Sequence, residues 1–536
     1  MAGAKKQNYL QGAAIMTVGV LVVKVLGAVF KIPLGSMKLL GDEGYSNFTS
    51  AYNIYSIFLT LSTAGFPVAL SRMISEADAL GQYTRVQRTF KVAFIFLAVL
   101  GGIGCAVMML FPDALAYRIG DVQAMQGIFV LGPTVLLVCL MSAFRGYCQG
   151  HGNMTPTTIS QILEVAVKVP VGLFLAWLLV RRQKGLPLAS AGAIFGVFFG
   201  SAVALWYLFR YTRKNYDWSV QGGESPGEGE IFKELLRIGV PITLGGCILA
   251  VLNLLDNTQI LNRLQNALGY APGDARVLYG IYGKVQNLYM LPTYFMTPFQ
   301  ASVVPAISAA LAAHQKRSAS QIGESAMRTA TVVVLPMCVG LGVVAYPVVN
   351  VLWPGSHEAG PALLRILVIA AFFVCMTMLT NALLQANDCE QLPMISMGAG
   401  ALVKLLVNHV LIGMERVNIY GAAISSVCCF AVIAGLNFFF IRCYTSRPPK
   451  LKNFLYGPLL CATAMGVAAW AVYGLLSKLL LGGEPSRMRL LLCLLPTMAV
   501  AVVVYLVLVV LTNSIRASDL KLMPGGEKLC DLLYLR

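Results

Sequence analysis

Long apolar stretches recur along nearly the whole chain, and they constrain its fold more than any other feature. Each is about 20 residues long, the length that an α-helix needs to cross the hydrocarbon core of a bilayer. The sequence therefore predicts an all-α polytopic membrane protein with about 14 transmembrane helices. The stretches lie at residues 10–33, 46–71, 90–112, 123–145, 158–180, 188–209, 236–261, 278–309, 326–350, 360–384, 393–413, 419–441, 454–480 and 489–512.

The composition supports this interpretation. Hydrophobic residues make up 57% of the chain and charged residues only 12%, whereas a soluble domain carries about 25% charged residues. A water-soluble protein with one buried core is excluded, because too few polar residues are present to cover the apolar mass.

No motif in the sequence marks catalysis or cofactor binding. The 13 cysteines and four histidines are scattered without the spacing of a metal site or a disulfide framework. No P-loop, H-E-x-x-H or G-x-S-x-G motif occurs. We therefore predict a protein that is not an enzyme and has no metal, no catalytic residue and no cofactor.

The excess of 17 positive charges predicts the orientation in the membrane. Without a soluble module or a basic tail, nucleic acid is not an expected partner. When alternate loops are compared, 23 Lys and Arg residues fall on one side and 11 on the other. Because cytoplasmic loops are enriched in Lys and Arg, we predict a multi-pass protein of the cell membrane with both termini in the cytoplasm.

An internal repeat divides the spans into two groups. Ile159-Ser160 matches Ile395-Ser396, and the same offset of 236 residues places Lys168 on Lys404. The match predicts two six-helix lobes related by a pseudo-two-fold axis along the membrane normal. The predicted parts are an N-terminal lobe at 1–212, a cytoplasmic linker at 213–235, a C-terminal lobe at 236–444, and two extra helices with a cytoplasmic tail at 445–536.

Six basic residues remain within the predicted spans or at their edges. A central Lys or Arg costs about 2.5–3.5 kcal/mol on insertion scales, so these side chains must face a cavity, form ion pairs or extend to the interface. Lys24 is mid-span with no acid within one helical turn, and Lys31 lies on the same helix face. The six are Lys24, Lys31, Lys168, Lys284, Arg365 and Lys404.

Two acids occupy comparable positions, namely Glu164 and Asp256. Glu164 is four residues from Lys168, so these two could neutralise each other as a structural pair. Lys31 and Arg365 lie near span ends and could instead extend to the interface. The remaining excess of positive charge predicts an internal cavity for an anionic substrate.

Several segments resemble a known group of transporters. They are GFPVALSR at 65–72, RGYCQG at 145–150, MTPT at 154–157, and VPIT at 240–243 followed by NLLD at 253–256. Together with the span number, they resemble the multidrug/oligosaccharidyl-lipid/polysaccharide (MOP) exporter superfamily. The resemblance is to its polysaccharide-biosynthesis branch, which includes stage V sporulation proteins B and lipid II flippases.

The resemblance implies a flippase. Its substrate would be an undecaprenyl-pyrophosphate-linked saccharide, such as lipid II or a related precursor of the cell wall, the spore wall or a polysaccharide. Cations in the first and eighth spans of such flippases line a central cavity, which implies substrate-binding roles for Lys24 and Lys284. Arg72 and Arg145, in the resembling segments, join the other basic residues as candidates. Glu164 and Asp256 are candidates for ion coupling or structural pairing.

The energy source and the partners follow from the same resemblance. Coupling to the membrane potential, to H⁺ or to Na⁺ is expected, and the partners are the lipid-linked oligosaccharide, the bilayer and proteins of wall synthesis. Two alternatives remain open. One is a multidrug/cation antiporter of the same superfamily, with Asp256 as the exchanging carboxylate. The other is a membrane scaffold for wall synthesis that transports nothing.

Overall fold

The computed structural model describes residues 9–36, 38–216, 226–387, 389, 391–444, 451–480 and 486–512. The regular structure of these residues is entirely helical, which confirms the all-α prediction. A 3-10 turn lies at Val122–Ala124. The α-helices are α1 (Tyr9–Leu34), α2 (Gly41–Thr63), α3 (Phe66–Ala79), α4 (Tyr83–Leu110), α5 (Pro112–Ile119), α6 (Met125–Gly150), α7 (Thr155–Arg181), α8 (Leu186–Asn215), α9 (Glu228–Asn266), α10 (Pro272–Tyr289), α11 (Leu291–Ala312), α12 (Lys316–Val343), α13 (Ala345–Leu352), α14 (Ala359–Ala386), α15 (Gln391–Leu411), α16 (Tyr420–Tyr444), α17 (Leu451–Leu480) and α18 (Arg487–Leu511).

Twelve helical stretches in the described part of the chain are long and apolar enough to cross a membrane. They coincide with all the predicted spans except the first and the eighth, so the number 14 is not confirmed. The first is the helix α1, which carries Lys24 and Lys31. The eighth is two helices, because the chain leaves the helical path at Met290 just before Pro292. A proline cannot donate to the preceding turn.

Proline also explains the division of two other predicted spans. The stretch at 46–71 forms α2 and α3, which are separated at Gly65 with Pro67 in the first turn of α3. The stretch at 326–350 forms α12 and α13, separated at Val344 with Pro347 shortly after it. Proline fits the first turn of a helix, where its missing N–H needs no partner in the helix, so each new helix begins beside its proline.

The chain divides into two compact units, Met1–Gly280 and Ile281–Arg536. The sequence repeat predicts a lobe boundary at 213–235. That boundary separates the two repeated halves of the sequence, whereas the two compact units are defined by their internal contacts. The helix α9, which begins the predicted second lobe, packs on α2 and α3 within the first unit. The repeat, the lobe boundaries and the pseudo-two-fold axis therefore stay predictions.

Ion pairs and close backbone contacts hold α9 in the first unit. Near its start, Glu234 pairs with Arg85 of α4 at 3.3 Å and Glu228 pairs with Lys91 at 3.0 Å. In the first third of α9, Gly65 approaches the helix so closely that an added Cβ would lie 2.3 Å from the carbonyl oxygen of Gly239. Near its end, the Gln265 amide donates to the carbonyl of residue 120 at 2.8 Å. Contacts along its whole length thus fix α9.

Three glycines bring α7 and α8 into backbone contact. They lie four residues apart on α8, at 192, 196 and 200, which places them on one face. A Cβ added at Gly196 would lie 2.6 Å from the Gly172 Cα, and one added at Gly200 would lie 2.2 Å from the Glu164 carbonyl oxygen. Small residues at this spacing let membrane helices approach closely. The contact fixes the part of α7 that carries Glu164 and Lys168.

We expect Gly200→Ala to lower the stability by about 1–3 kcal/mol, because the new methyl group must displace the backbone of α7. Gly102→Ala on α4 is the matched control, since a Cβ there meets no atom within 4 Å. It should be neutral or slightly stabilising, because alanine favours the helix. Thermal unfolding of the purified protein in detergent measures both. Equal midpoints for the two variants would contradict the close packing of α7 and α8.

The second unit has a comparable helix pair and two additional helices. In α15, Gly400 packs on Ile433 of α16, where an added Cβ would lie 2.3 Å from a side-chain carbon. Lys404 is the fourteenth residue of α15, which begins at Gln391, as Lys168 is of α7, which begins at Thr155. The helices α17 and α18 pack on α12 around buried apolar side chains, which include Leu335, Met465 and Tyr505. They thereby extend the second unit.

Candidate functional site

In the first unit, the ammonium group of Lys168 lies between two aromatic rings. Its Nζ is 5.0 Å from the centroid of the Phe30 ring on α1 and 5.2 Å from that of Tyr52 on α2. A cation over an aromatic face is stabilised by the ring quadrupole. Lys31, one residue after Phe30, is near enough for its charge to act on Lys168. We call Phe30, Lys31, Tyr52 and Lys168 the aromatic-lysine site.

Glu164 makes its ion pair with Arg145 in this structure. Arg145 donates from its terminal nitrogen to the Glu164 carboxylate at 2.9 Å and from Nε to the Ser160 hydroxyl at 3.0 Å. Ser201 of α8 donates to the other carboxylate oxygen at 3.4 Å. This differs from the Glu164–Lys168 pair suggested by the sequence, because the guanidinium of α6 reaches the carboxylate while the lysine extends toward the rings.

Two lysines lie close to each other beside this ion pair. Arg145 and Glu164 neutralise each other, whereas Lys31 and Lys168 both contribute positive charge to neighbouring positions. Lys168 is the fourteenth of the 27 residues of α7, near the middle of the helix. Charge held at that depth is costly unless an anion or a polar cavity compensates it. The arrangement is suited to binding an anion inside the membrane.

Lys24 lies on α1 two turns before Lys31 and is partly buried. The helix packs on α7, and Gly19 lies against Thr158 with room for no side chain, because an added Cβ would lie 2.2 Å from the Thr158 Cγ2. Lys24 therefore shares the α1 segment that carries the aromatic-lysine site. The structure places it along the helix from that site rather than in it.

In the second unit, Lys284 of α10 is fully buried. Its Nζ donates to the Ser356 hydroxyl at 3.2 Å and lies 5.9 Å from the centroid of the Trp353 ring. Both residues belong to the turn between α13 and α14. Lys404 of α15 is also buried, at 6% exposure. The second unit thus holds two buried lysines, and an aromatic ring lies beside Lys284 as one does beside the partly buried Lys168 of the first unit.

The remaining predicted site residues are distributed differently. Arg72 on α3 and Arg365 on α14 are exposed. Asp256 on α9 is buried in the first unit, with 3% of its surface exposed. The structure therefore brings Lys31, Lys168, Arg145 and Glu164 into one neighbourhood and does not add Arg72 or Asp256 to it.

Sequence reasoning missed the aromatic side of the site. Phe30 and Tyr52 are buried or partly buried among rings that succeed one another along α2: Phe48 and Tyr52 have centroids 5.8 Å apart, and Tyr52 and Tyr55 5.4 Å apart. The spacing of Tyr45, Phe48, Tyr52 and Tyr55 marks one helix face. That periodicity was the available signal, although the partner lysine lies on another helix.

An apolar cavity of about 370 Å³ lies in the second unit. Side chains of α11, α12, α13, α17 and α18 line it, among them Pro336, Met465, Met498 and Tyr505. The two helices added after the predicted repeat thus form much of its wall. The volume and the apolar lining suit a hydrocarbon chain.

A second polar cluster lies at the end of the first unit where α5 meets α6. Asp121 is fully buried there and accepts a long hydrogen bond from the Ser46 hydroxyl at 3.5 Å. Arg276 of α10 donates to Glu43 at 2.8 Å. Burial raises the pKa of Asp121 to about 6, and the positive charge of Arg276 partly opposes this shift. In the predicted topology this is the outer end of the unit.

The raised pKa predicts a pH-dependent stability. The folded state holds the Asp121 proton up to about pH 6, whereas an unfolded chain releases it near pH 4. The contribution of Asp121 to the free energy of unfolding is therefore fully present below about pH 4. It is lost as the pH rises through 6, which lowers the free energy of unfolding by up to about 3 kcal/mol. Asp121→Asn should remove this component, so the variant should match the wild type at pH 4 and unfold at a higher temperature at pH 8. A midpoint difference that does not change with pH would contradict the assignment.

Residues 9–311 match the family described as polysaccharide biosynthesis protein. Among curated proteins, the chain is 28% identical over 444 residues to the uncharacterized membrane protein YabM of Bacillus subtilis (strain 168), covering 82% of this chain and 81% of YabM. It is 25% identical over 492 residues to the lipid II flippase MurJ of the same organism, covering 88% of each chain.

Solved structures share the fold. The lipid II flippase MurJ in an inward closed conformation matches with a TM-score of 0.68 at 12% identity, covering 92% of this chain and 98% of that one. An inward-facing multidrug resistance MATE family transporter of the MOP superfamily matches with a TM-score of 0.66 at 16% identity, covering 81% of this chain and 98% of that one. At such identities the likeness concerns the fold alone. With the family match over more than half of its length, the chain belongs to the polysaccharide biosynthesis protein family and is a multi-pass membrane protein.

Proposed function

We propose that this protein is a flippase for an undecaprenyl-pyrophosphate-linked saccharide, with lipid II as the leading case, and moves it from the inner to the outer leaflet. The observation that carries the proposal is the aromatic-lysine site. Lys31 and Lys168 bring two positive charges close together near the middle of α7, and Glu164 of the same helix is paired with Arg145. A pyrophosphate is the part of such a lipid that this charge would attract.

The second unit supplies features that fit the rest of such a substrate. Lys284 is a buried cation, and Trp353 beside it offers a flat apolar surface of the kind on which sugar rings stack. The apolar cavity lined by α12, α17 and α18 is suited to part of an isoprenoid chain. In this conformation Lys284 is covered, so contact with substrate requires Trp353 and Ser356 to move. That requirement agrees with transport by alternating access.

Coupling to the membrane potential follows from the charge of the proposed substrate. An inside-negative potential drives an anion outward with about 2.3 kcal/mol per charge per 100 mV. Exchange of H⁺ or Na⁺ is the other candidate for coupling. The potential, the H⁺ gradient and the Na⁺ gradient are each collapsed in turn in vesicles. Transport should stop only when the gradient that drives it is removed.

A multidrug/cation antiporter is the alternative that an observation favours. Asp256 is a buried acid on α9, and a buried carboxylate can exchange a proton or Na⁺ for a cationic drug. However, lysines rather than acids occupy the aromatic-lysine site. A cationic drug would be repelled there.

Transport by the purified protein in proteoliposomes tests the proposal. A labelled undecaprenyl-pyrophosphate disaccharide and a panel of labelled cationic drugs are compared in the same vesicles. We expect movement of the lipid between leaflets and no accumulation of the drugs. Drug transport with no lipid movement would replace the flippase by the antiporter, and the absence of both would favour the scaffold.

A further inference from the structure

A hydrogen bond between α18 and α12 fills a gap that proline creates. Pro336 lies inside α12 and has no N–H, so the carbonyl of Val332, one turn earlier, loses its normal partner in the helix. The hydroxyl of Tyr505 on α18 donates to this same carbonyl at 2.6 Å. Tyr505 and Val332 are both buried. No water is available in the hydrocarbon region to replace the bond.

The proline and the tyrosine described above also line the apolar cavity. Pro336 and Tyr505 both contribute to its wall, as do Met465 of α17 and Met498 of α18. The ring of Tyr505 packs in the apolar cluster that joins α12, α17 and α18. The hydroxyl therefore ties the position of α18 to the part of α12 where the helix lacks its own hydrogen bond.

We propose that Tyr505 is a positioning residue for the lipid chain of the substrate: by bonding to the carbonyl that Pro336 leaves open, it fixes the two helices that form the cavity wall. The inference rests on the proposed function for the identity of the chain. Without the hydroxyl, the Val332 carbonyl loses this donor in addition to the N–H that Pro336 cannot supply, and α12 and α18 can separate or α12 can straighten. Either change alters the cavity while leaving the lysines unchanged.

A double-mutant cycle tests the hydrogen bond. Tyr505→Phe removes only the hydroxyl and should lower the unfolding midpoint of the full chain by about 2 °C. In a Pro336→Ala background, α12 regains an N–H that can bond to the Val332 carbonyl, so Tyr505→Phe should have no further effect. Tyr456→Phe on α17, where the side chain is 62% exposed, is the control and should be neutral in both backgrounds. Equal losses from Tyr505→Phe in both backgrounds would overturn the inference.

Labelling with a photoreactive undecaprenol that lacks the pyrophosphate tests the positioning role. We expect it to label residues of the cavity in the wild type and to label them about 10-fold less in Tyr505→Phe, with Tyr456→Phe unchanged. A labelling pattern that is the same in wild type and Tyr505→Phe, or a wild type that is not labelled in the cavity, would overturn the inference.

Transport of long-chain and short-chain substrates separates positioning from general structural damage. Tyr505→Phe should raise the KM for an undecaprenyl-pyrophosphate disaccharide about 10-fold and leave that for a short-chain analogue unchanged. An equal increase for both lipids would contradict the inference. If the wild type is labelled by undecaprenol but does not transport the pyrophosphate lipid, the proposed function fails and the positioning role of Tyr505 stands.

Discussion

Reversing the charge of Lys168 should abolish transport of a pyrophosphate lipid while the protein still reaches the membrane. Lys168→Glu places a carboxylate between the Phe30 and Tyr52 rings, next to Glu164. The substrate anion would then meet repulsion at a depth where the low dielectric strengthens it. We expect a loss of at least about 100-fold in transport, which corresponds to about 2.7 kcal/mol. Flipping of labelled lipid in proteoliposomes, with the protein amount matched, measures it.

Two further variants separate charge from packing at this position. Lys168→Arg keeps the cation over the rings and should retain part of the activity. Lys184→Glu reverses an exposed charge outside the helices and should leave transport unchanged. Well-expressed Lys168→Glu protein with wild-type transport would show that the lysine is structural.

Neutralising Lys284 should reduce transport without loss of stability. Lys284→Met removes a charge that is fully buried and keeps a side chain of similar length. Because a buried ammonium is costly to desolvate, the unfolding midpoint should stay the same or rise. Transport should fall by about 10-fold if the lysine binds the anion when Trp353 and Ser356 move away. Unfolding in detergent and flipping in proteoliposomes are measured on the same preparation.

The matched control is Lys478→Met on α17, where the lysine is exposed. This change removes one positive charge from the same unit without removing a buried one. It should alter neither transport nor stability. If Lys284→Met lowers the unfolding midpoint strongly and transport falls only in proportion to the folded fraction, the lysine serves folding and not substrate binding.

Hydrophobic periodicity and length predicted the helical class and most of the spans, because a bilayer dictates helix length. The places where prediction and structure differ are those where local chemistry interrupts a continuous apolar run. Gly65 with Pro67, Met290 with Pro292, and Val344 each divide a stretch that composition alone presents as continuous. The interruption depends on backbone geometry, which a hydropathy pattern does not contain.

For the site, the sequence identified charges but not their partners. A lysine in an apolar segment is visible in the sequence, since its insertion cost is independent of the fold. Its neighbours are not, because they lie on other helices: Glu164 on α7 meets Arg145 of α6, and Lys168 meets rings of α1 and α2. The i,i+4 spacing of Glu164 and Lys168 suggested a local pair, and packing between helices supplied a different one.

In the transport that we propose, lysines within the membrane helices carry an anionic lipid headgroup through the membrane. The most direct test compares two labelled lipids in proteoliposomes that contain the wild-type protein: an undecaprenyl-pyrophosphate disaccharide, and the same disaccharide joined to undecaprenol without phosphate. We predict that the pyrophosphate lipid moves between leaflets at least about 100-fold faster than the neutral lipid. Equal rates for the two lipids would contradict the account.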